Sequence, residues 1–241
     1  DVPPLGLLAC LRLRGIRVAT ESSGWLTCQR AVKTKSKDPF DLLQKSAVPL
    51  PGNVRFGLDG RQVVQLGEVR DTAGLLTADD AAALLADSFR GIGGQEAVPA
   101  DELACLLGEG GIDWEQSDGD ADIWEATISN GKGQRCRLQL RATAGGAEVT
   151  SQLLHTDESW AEICHKAMAQ FLCRAHMQLR FVRFELQPGE VRAASFAVAS
   201  RLECELPDSI AAVTSAALAV ANELRALTHV AVAKAYLQAA V

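Results

Sequence analysis

The segment NVRFGLDGRQVVQLGEV, residues 53–69, alternates apolar and polar side chains on both sides of Asp59-Gly60. A second segment of the same kind, LRFVRFELQPGEVRAASFAVASRLE at residues 179–203, changes direction at Pro188-Gly189. Alternation with a period of two is typical of half-buried strands, and a glycine-containing dipeptide between two such runs is typical of a turn. The sequence therefore predicts a β-hairpin in each half of the chain.

Further strands are predicted upstream of each hairpin. Residues 16–32 read as two strand-like runs, and residues 123–154 read as a longer set of strands. Short glycine-containing dipeptides between such runs are strong hairpin signals. The turn signals are Ser22-Ser23-Gly24 in the first half, and Asn130-Gly131 and Gly145-Gly146 in the second half.

Helical segments are predicted at matching places in the two halves. The sequence Leu-Ala-Cys-Leu occurs twice, each time in a short apolar segment that ends in glycine. A repeated order of elements indicates a duplicated unit better than it indicates coincidence. The predicted helices are 7–15, 40–47 and 77–89 in the first half, and 102–111, 157–177 and 207–227 in the second, the last beginning at Pro207.

The repeated order divides the chain into two units of the form α-β-β-(β)-α-β-β-α, covering residues 1–98 and 99–241. Glycine and proline in GIGGQEAVPA, residues 91–100, mark the boundary. This order, together with LPGNVRFGLDGRQVVQLGEV at residues 50–69, resembles the type III secretion chaperone-like family of bacteria. The resemblance implies an α+β fold in which each unit packs a small twisted antiparallel sheet against helices.

The resemblance also implies a function. Chaperones of this family commonly pair as homodimers and hold an extended segment of a secreted client, so two units in one chain would form a monomeric pseudo-dimer. We expect a non-catalytic protein- or peptide-binding module of the bacterial cytoplasm, with no cofactor. The client would lie on the apolar face of a sheet or along an edge strand. Apolar residues that alternate with charged neighbours are the candidate binding residues: Phe56, Val63, Phe181, Phe184 and Phe196.

Composition limits the partners. The 241-residue chain has a formal net charge of −6, which would repel a phosphate backbone, so nucleic acid is not an expected partner. No stretch of ~18 consecutive apolar residues is evident, so no membrane span is expected. The seven cysteines are widely spaced without a CxxC pair, which predicts free thiols in a reducing compartment.

One predicted helix raises the question of a metal. Residues 157–177 contain Cys164, His165, Cys173 and His176. The two histidines are 11 residues apart, or about 16 Å along a helix, so they cannot share one ion. We therefore expect core or half-buried side chains and no metal. A His176→Gln substitution is then expected to change stability by no more than about 1 kcal/mol.

Two other functions stay open. The first is a thiol- or histidine-dependent enzyme with a pocket between the two units. It requires a cysteine or serine within hydrogen-bonding distance of a histidine: His155, His165, His176 or His229. The second is a structural or regulatory adaptor, which only its partner would distinguish from a chaperone.

Overall fold

The computed structural model describes residues 16–20, 25–32, 38–47, 54–59, 62–70, 98–120, 122–130, 133–143, 145–157, 159–187 and 189–239. These residues form a mixed α+β structure with two antiparallel sheets and five α-helices, which confirms the predicted α+β class. The first sheet and its helix contain β1 (Ile16–Thr20), β2 (Trp25–Ala31), α1 (Pro39–Ser46), β3 (Arg55–Asp59) and β4 (Gln62–Arg70).

The second sheet and its helices follow in the chain. They begin with α2 (Ala100–Glu109), β5 (Glu115–Gln116), β6 (Ile123–Ser129), β7 (Arg135–Thr143) and β8 (Gly146–His155). They continue with α3 (Glu162–Ala175), β9 (Arg183–Gln187), β10 (Glu190–Val198), a short 3₁₀ turn (Ala199–Arg201), α4 (Leu202–Leu227) and α5 (Val230–Ala239).

The two sheets share an order of strands. The first sheet has the order β1-β2-β4-β3, and the second has β5-β6-β7-β8-β10-β9, with every neighbouring pair antiparallel. The four strands β7-β8-β10-β9 therefore repeat the order of the first sheet, and β5 and β6 extend it. Helix α1 connects β2 to β3, and α3 likewise connects β8 to β9. The hairpins predicted at Asp59-Gly60, Asn130-Gly131, Gly145-Gly146 and Pro188-Gly189 are confirmed.

The two hairpins also share a short sequence. Val-Arg-Phe-x-Leu occupies residues 54–58 at β3 and residues 182–186 at β9. In both hairpins the residue after this leucine pairs with the first residue of the next strand. The two copies therefore lie at equivalent positions, each on an edge strand of its sheet.

Helix packing joins the two sheets. Helix α1, which belongs to the first sheet, packs on α3 and β9, while α3 packs on β3. The contact of α1 with β9 thus corresponds to the contact of α3 with β3, because in both cases a helix packs on the edge strand of the other sheet. A two-fold interface has this property, because every contact across it occurs twice. Helix α4 packs on β8 and β10 of the second sheet.

Two predicted helix boundaries were wrong. Helix α3 begins at Glu162, not at Asp157, because the Asp157 carboxylate accepts a hydrogen bond from Ser159 N at 2.8 Å and holds a turn. Helix α4 begins at Leu202 and includes Pro207. Its first turns are stabilised by Glu205, which accepts a hydrogen bond from Val198 N at 3.0 Å. The predicted helices at 7–15 and 77–89 and the linker at 91–97 lie outside the described residues.

One described segment, Ala199–Leu227, is long and apolar enough to cross a membrane by length and composition. The expectation from the sequence concerned a run of ~18 consecutive apolar residues, which this segment is not, because it contains charged residues such as Glu203, Asp208 and Arg225. The expected absence of a membrane span therefore stays a prediction. The finding is weak evidence for a membrane span, because a helix packed on a sheet meets the same criterion, and α4 packs on β8 and β10.

Candidate functional site

An apolar pocket of about 520 Å³ lies between α2, the chain that follows it, β6 and the first half of α4. Its apolar lining includes Leu106, Leu107, Ile128, Leu206 and Ile210. Pockets of this size are typical of small-molecule sites, which bury most of a ligand among apolar side chains. The pocket is therefore the first candidate site in the described part of the chain.

Local sequence explains how the pocket forms. Helix α2 buries Leu103 and Leu107, one turn apart, and thereby docks on the core. It ends at Gly110, and Gly111 follows with φ 65°, a left-handed conformation that favours glycine. This turn brings Trp114 back into the pocket wall, opposite α4.

Two residues of the pocket lining each carry a buried polar atom that has no hydrogen-bond partner among the described residues. Trp114 Nε1 and Thr214 Oγ1 are both buried, and neither bonds to any of the described residues. A buried polar group without a partner costs about 1–3 kcal/mol. Both atoms are shielded from water, so each carries this cost within the packed wall of the pocket. Glu203 is the only charged residue among the described lining.

The five predicted binding residues do not form an exposed surface. Phe56 is half-buried, and none of the five lines the pocket. Phe184 lies in the core under the helices, while Phe181 adopts φ 53° in the loop before β9. A client would reach the buried residues only if the core opened. The buried four are Val63, Phe181, Phe184 and Phe196, each 2% exposed or less.

His176 lies at the junction of the two sheets. Its Nε2 accepts a hydrogen bond from Phe184 N at 2.6 Å, so its Nδ1 carries the proton and donates to the Phe56 carbonyl at 2.7 Å. The ring also stacks on Phe184, with 5.4 Å between ring centroids. Burial, with a smaller contribution from the Arg55 guanidinium, lowers the pKa of His176 to about 3. The interpretation of His176 as a core or half-buried residue is confirmed, because the residue is fully buried. The small stability change expected for His176→Gln stays a prediction.

A buried ion pair lies beside His176 and also connects the two sheets. Arg55 donates to both carboxylate oxygens of Glu68 at 2.9 Å. The same guanidinium donates to the carbonyls of His176 at 3.2 Å and Leu179 at 2.6 Å. Glu68 in turn accepts a hydrogen bond from Phe181 N. The first sheet therefore binds the backbone of the loop that precedes β9.

Arg183, the counterpart of Arg55, is also fully buried. It donates to Glu185 Oε1 at 2.9 Å and to Glu148, and Glu185 also accepts from Arg192. These partners all belong to the second sheet. Arg183 Nη1 has no hydrogen-bond partner among the residues that the structure describes.

The described cysteines and histidines show no catalytic or metal-binding grouping. Cys164 donates to the Thr228 carbonyl at 3.3 Å, and Cys173 lies 3.5 Å from the Pro39 carbonyl. Burial raises the pKa of the Cys173 thiol to about 12, which opposes thiolate formation. Within the described ranges, no three His, Cys, Asp or Glu residues are placed to hold a metal.

The thiol- or histidine-dependent alternative needs a histidine beside a nucleophile. His155 Nδ1 lies 3.1 Å from Gln152 Nε2, and His165 contacts the rings of Phe40 and Trp160. In the described part of the chain, no histidine hydrogen-bonds a cysteine or serine. This arrangement gives the enzyme alternative no specific support.

Comparison of the chain with family models, curated proteins and solved structures finds no significant match.

Proposed function

We propose that the chain is a non-catalytic protein-binding module made of two type III secretion chaperone-like units, residues 1–98 and 99–241. The observation that carries this proposal is the shared order of strands, β1-β2-β4-β3 and β7-β8-β10-β9. The Val-Arg-Phe repeat and the reciprocal packing of α1 and α3 support it independently. Two units related in this way correspond to the homodimer that the family resemblance implies.

The client segment is proposed to add to the first sheet at β1. This strand has β2 as its one described neighbour, and no described strand pairs with its outer edge. The other edge strands are less suitable, because α3 packs on β3, α1 packs on β9, and β5 has two residues. A free edge offers backbone N–H and C=O groups to an extended peptide, and five residues can pair with one.

A library of defined extended peptides tests this proposal on the full chain. We expect apolar–polar alternating peptides to bind with a measurable Kd, and binding to slow hydrogen exchange in residues 16–20. Residues 183–187 in β9 are the matched control, because α1 packs on that strand and a client should not change their exchange. The proposal is wrong if no peptide binds, or if a bound peptide protects β9 and leaves β1 unchanged.

The proposal includes a reducing compartment, the bacterial cytoplasm. Six of the seven cysteines are described, and all six are free thiols: Cys28, Cys105, Cys136, Cys164, Cys173 and Cys204. We expect a thiol assay on denatured protein, isolated without reductant, to return close to seven thiols per chain. A result near one or three would indicate disulfides and an oxidising compartment instead.

A further inference from the structure

We propose that the client takes on β1 the place that β6 takes on β7, so that it runs antiparallel to β1 and repeats the side-chain pattern of β6. This inference rests on the proposed function, because it specifies the segment that adds to β1. In the second sheet, the equivalent edge is already filled by β6. The chain therefore binds one client, and the second sheet provides the template for its pairing.

The strand pairing sets the two sheets in a common register. Strand β1 corresponds to β7, because each pairs with the strand that follows it, and a helix and the Val-Arg-Phe hairpin come next. Across the first sheet, Arg55 is followed by the paired residues Leu66, Gln29 and Arg17. Across the second sheet, Arg183 is followed by the paired residues Ala194, Thr150 and Gln139. Arg17 on β1 therefore corresponds to Gln139 on β7.

This register fixes the apolar residues of the client. Trp124 of β6 pairs with Leu140 of β7, and both side chains are buried. Val18 of β1 corresponds to Leu140, because each follows the matched residues Arg17 and Gln139. A client therefore needs a large apolar residue opposite Val18. The next buried pair on this face, with its counterpart on β1, consists of Ala126, Leu138 and Ile16.

Polar residues alternate with the apolar residues on β6. Glu125 is partly exposed, whereas Thr127 and Ser129 are exposed. Successive side chains of a strand point to opposite faces, so these three lie on the face away from Trp124. The client is therefore a strand of alternating apolar and polar residues in one defined register.

The backbone bonds of β6 determine which N–H groups the client must offer. At one end, the Asp122 carbonyl accepts a hydrogen bond from Ala142 N at 3.0 Å, and at the other end Asn130 N donates to the Gln134 carbonyl at 3.0 Å. Hydrogen-bonded pairs alternate with non-hydrogen-bonded pairs along antiparallel strands. Even-numbered residues of β6 therefore direct their N–H groups at β7, and odd-numbered residues direct theirs away from it.

A peptide with the sequence of residues 122–130, DIWEATISN, tests the inference on the full-length chain. We expect titration calorimetry to give one peptide per chain, and hydrogen exchange to slow in residues 16–20 but not in β9. A nitroxide on the amino end of the peptide should broaden the NMR signal of the Thr20 amide more than that of the Ile16 amide. This order follows because Ile123 pairs with Arg141, the counterpart of Ala19. A nitroxide on the carboxyl end should reverse it.

Three altered peptides separate this pairing from nonspecific adhesion. Trp124→Glu and Glu125→Trp together keep the composition but break the alternation, and should weaken binding at least about tenfold. N-methylation at Ala126 removes an N–H group that should face β1, whereas N-methylation at Thr127 removes one that should face solvent. The first should weaken binding at least about tenfold, and the second should change it by no more than about twofold.

The outcomes separate this inference from the proposed function. If no peptide of the library protects β1, both are wrong. If library peptides protect β1 but the 122–130 peptide does not, the inference alone is wrong, as it is if that peptide binds in parallel or if the two N-methylated peptides bind alike. Faster exchange in residues 123–129 with unchanged exchange in β1 would mean that the peptide replaces β6. A dimer of the free protein joined through β1 would make a second copy the occupant, and either result overturns the inference.

Discussion

The two Val-Arg-Phe segments have the same local sequence and the same position in their sheets, yet their arginines make different connections. Arg55 on β3 binds Glu68 in its own sheet and also two backbone carbonyls near the end of α3. Arg183 on β9 binds Glu148 and Glu185, both in its own sheet. One arginine therefore links the two sheets, while the other stabilises a single sheet.

Under the proposed duplication, the comparison shows where the two copies differ. In an exact two-fold dimer, both arginines would make the contacts that Arg55 makes. Here a single histidine occupies the junction, with Nδ1 on the Phe56 carbonyl and Nε2 on the Phe184 amide. One side chain thus satisfies one backbone group from each copy, and the two copies contribute opposite groups, an acceptor and a donor.

The largest expected effect separates the two arginines. Arg55→Met should lower the free energy of unfolding by about 3–5 kcal/mol, because it leaves the buried Glu68 carboxylate without its guanidinium. Arg183→Met should cost less, because the buried Glu185 carboxylate keeps its contact with Arg192. Hydrogen exchange should distinguish them. Arg55→Met should speed exchange in β4 and at Phe181, whereas Arg183→Met should act on β8, β9 and β10.

A double variant controls for nonspecific damage. Replacing Arg55 with Met and Glu68 with Leu together should cost less than the sum of the two single changes, because no buried charge is left without a partner. Additive costs would mean that the pair is not coupled. Identical exchange patterns in the two arginine variants would contradict the distinction between them.

An intermediate effect is expected at His176. His176→Phe leaves the Phe56 carbonyl and the Phe184 amide without their partner, which should cost about 2–4 kcal/mol at neutral pH. Denaturant unfolding of the variant and the wild type measures the difference. A cost below about 1 kcal/mol would show that the histidine does not bridge the two copies.

The same variant should change the dependence of stability on pH. The pKa of His176 is about 3 in the folded protein and near 6.5 when unfolded, so the unfolded chain binds the additional proton between these values. Wild-type stability from this group is complete above pH 6.5 and is lost as the pH falls towards 3. The wild-type advantage over His176→Phe should therefore shrink by about 1.4 kcal/mol per pH unit.

The smallest effect is expected at position x of Val-Arg-Phe-x-Leu. This position is Gly57 in the first copy and Glu185 in the second. A Cβ at Gly57 would lie 2.6 Å from Met177 Sδ and 3.2 Å from Leu66 Cδ1. Gly57→Ala should therefore cost about 1–3 kcal/mol through overpacking. The cost should fall in a Met177→Ala background, as thermal unfolding of the four combinations would show. An equal cost in both backgrounds would mean that Met177 is not the obstacle.

Sequence patterns predicted the strands and turns because those depend on neighbouring residues. Glycine at the hairpin turns and Asp38 before α1 act locally, and the elements lie where the patterns indicate. Burial was harder to predict. Arg183 and Phe196 lie on the face of the sheet opposite the core helices, yet both are buried. The alternation of residues in β9 and β10 therefore does not distinguish buried from exposed positions.

The candidate site depends on contacts between distant parts of the chain. His176 reaches Phe56 across 120 positions, and Arg55 reaches Leu179 across 124. The pocket combines α2, β6 and α4, and an unpartnered atom such as Thr214 Oγ1 is recognised only when its surroundings are known. The repeat of Val-Arg-Phe was a signal in the sequence that would have identified the equivalent strands.

The most direct test of the two-copy arrangement is ¹⁵N NMR of the histidine rings in a pH titration from about pH 8 to about pH 5. The account predicts that one of the four rings, assigned to His176 by its loss in His176→Phe, stays neutral throughout with its proton on Nδ1. A His176 ring that carries its proton on Nε2, or that titrates near its ordinary pKa of 6.5, would contradict it.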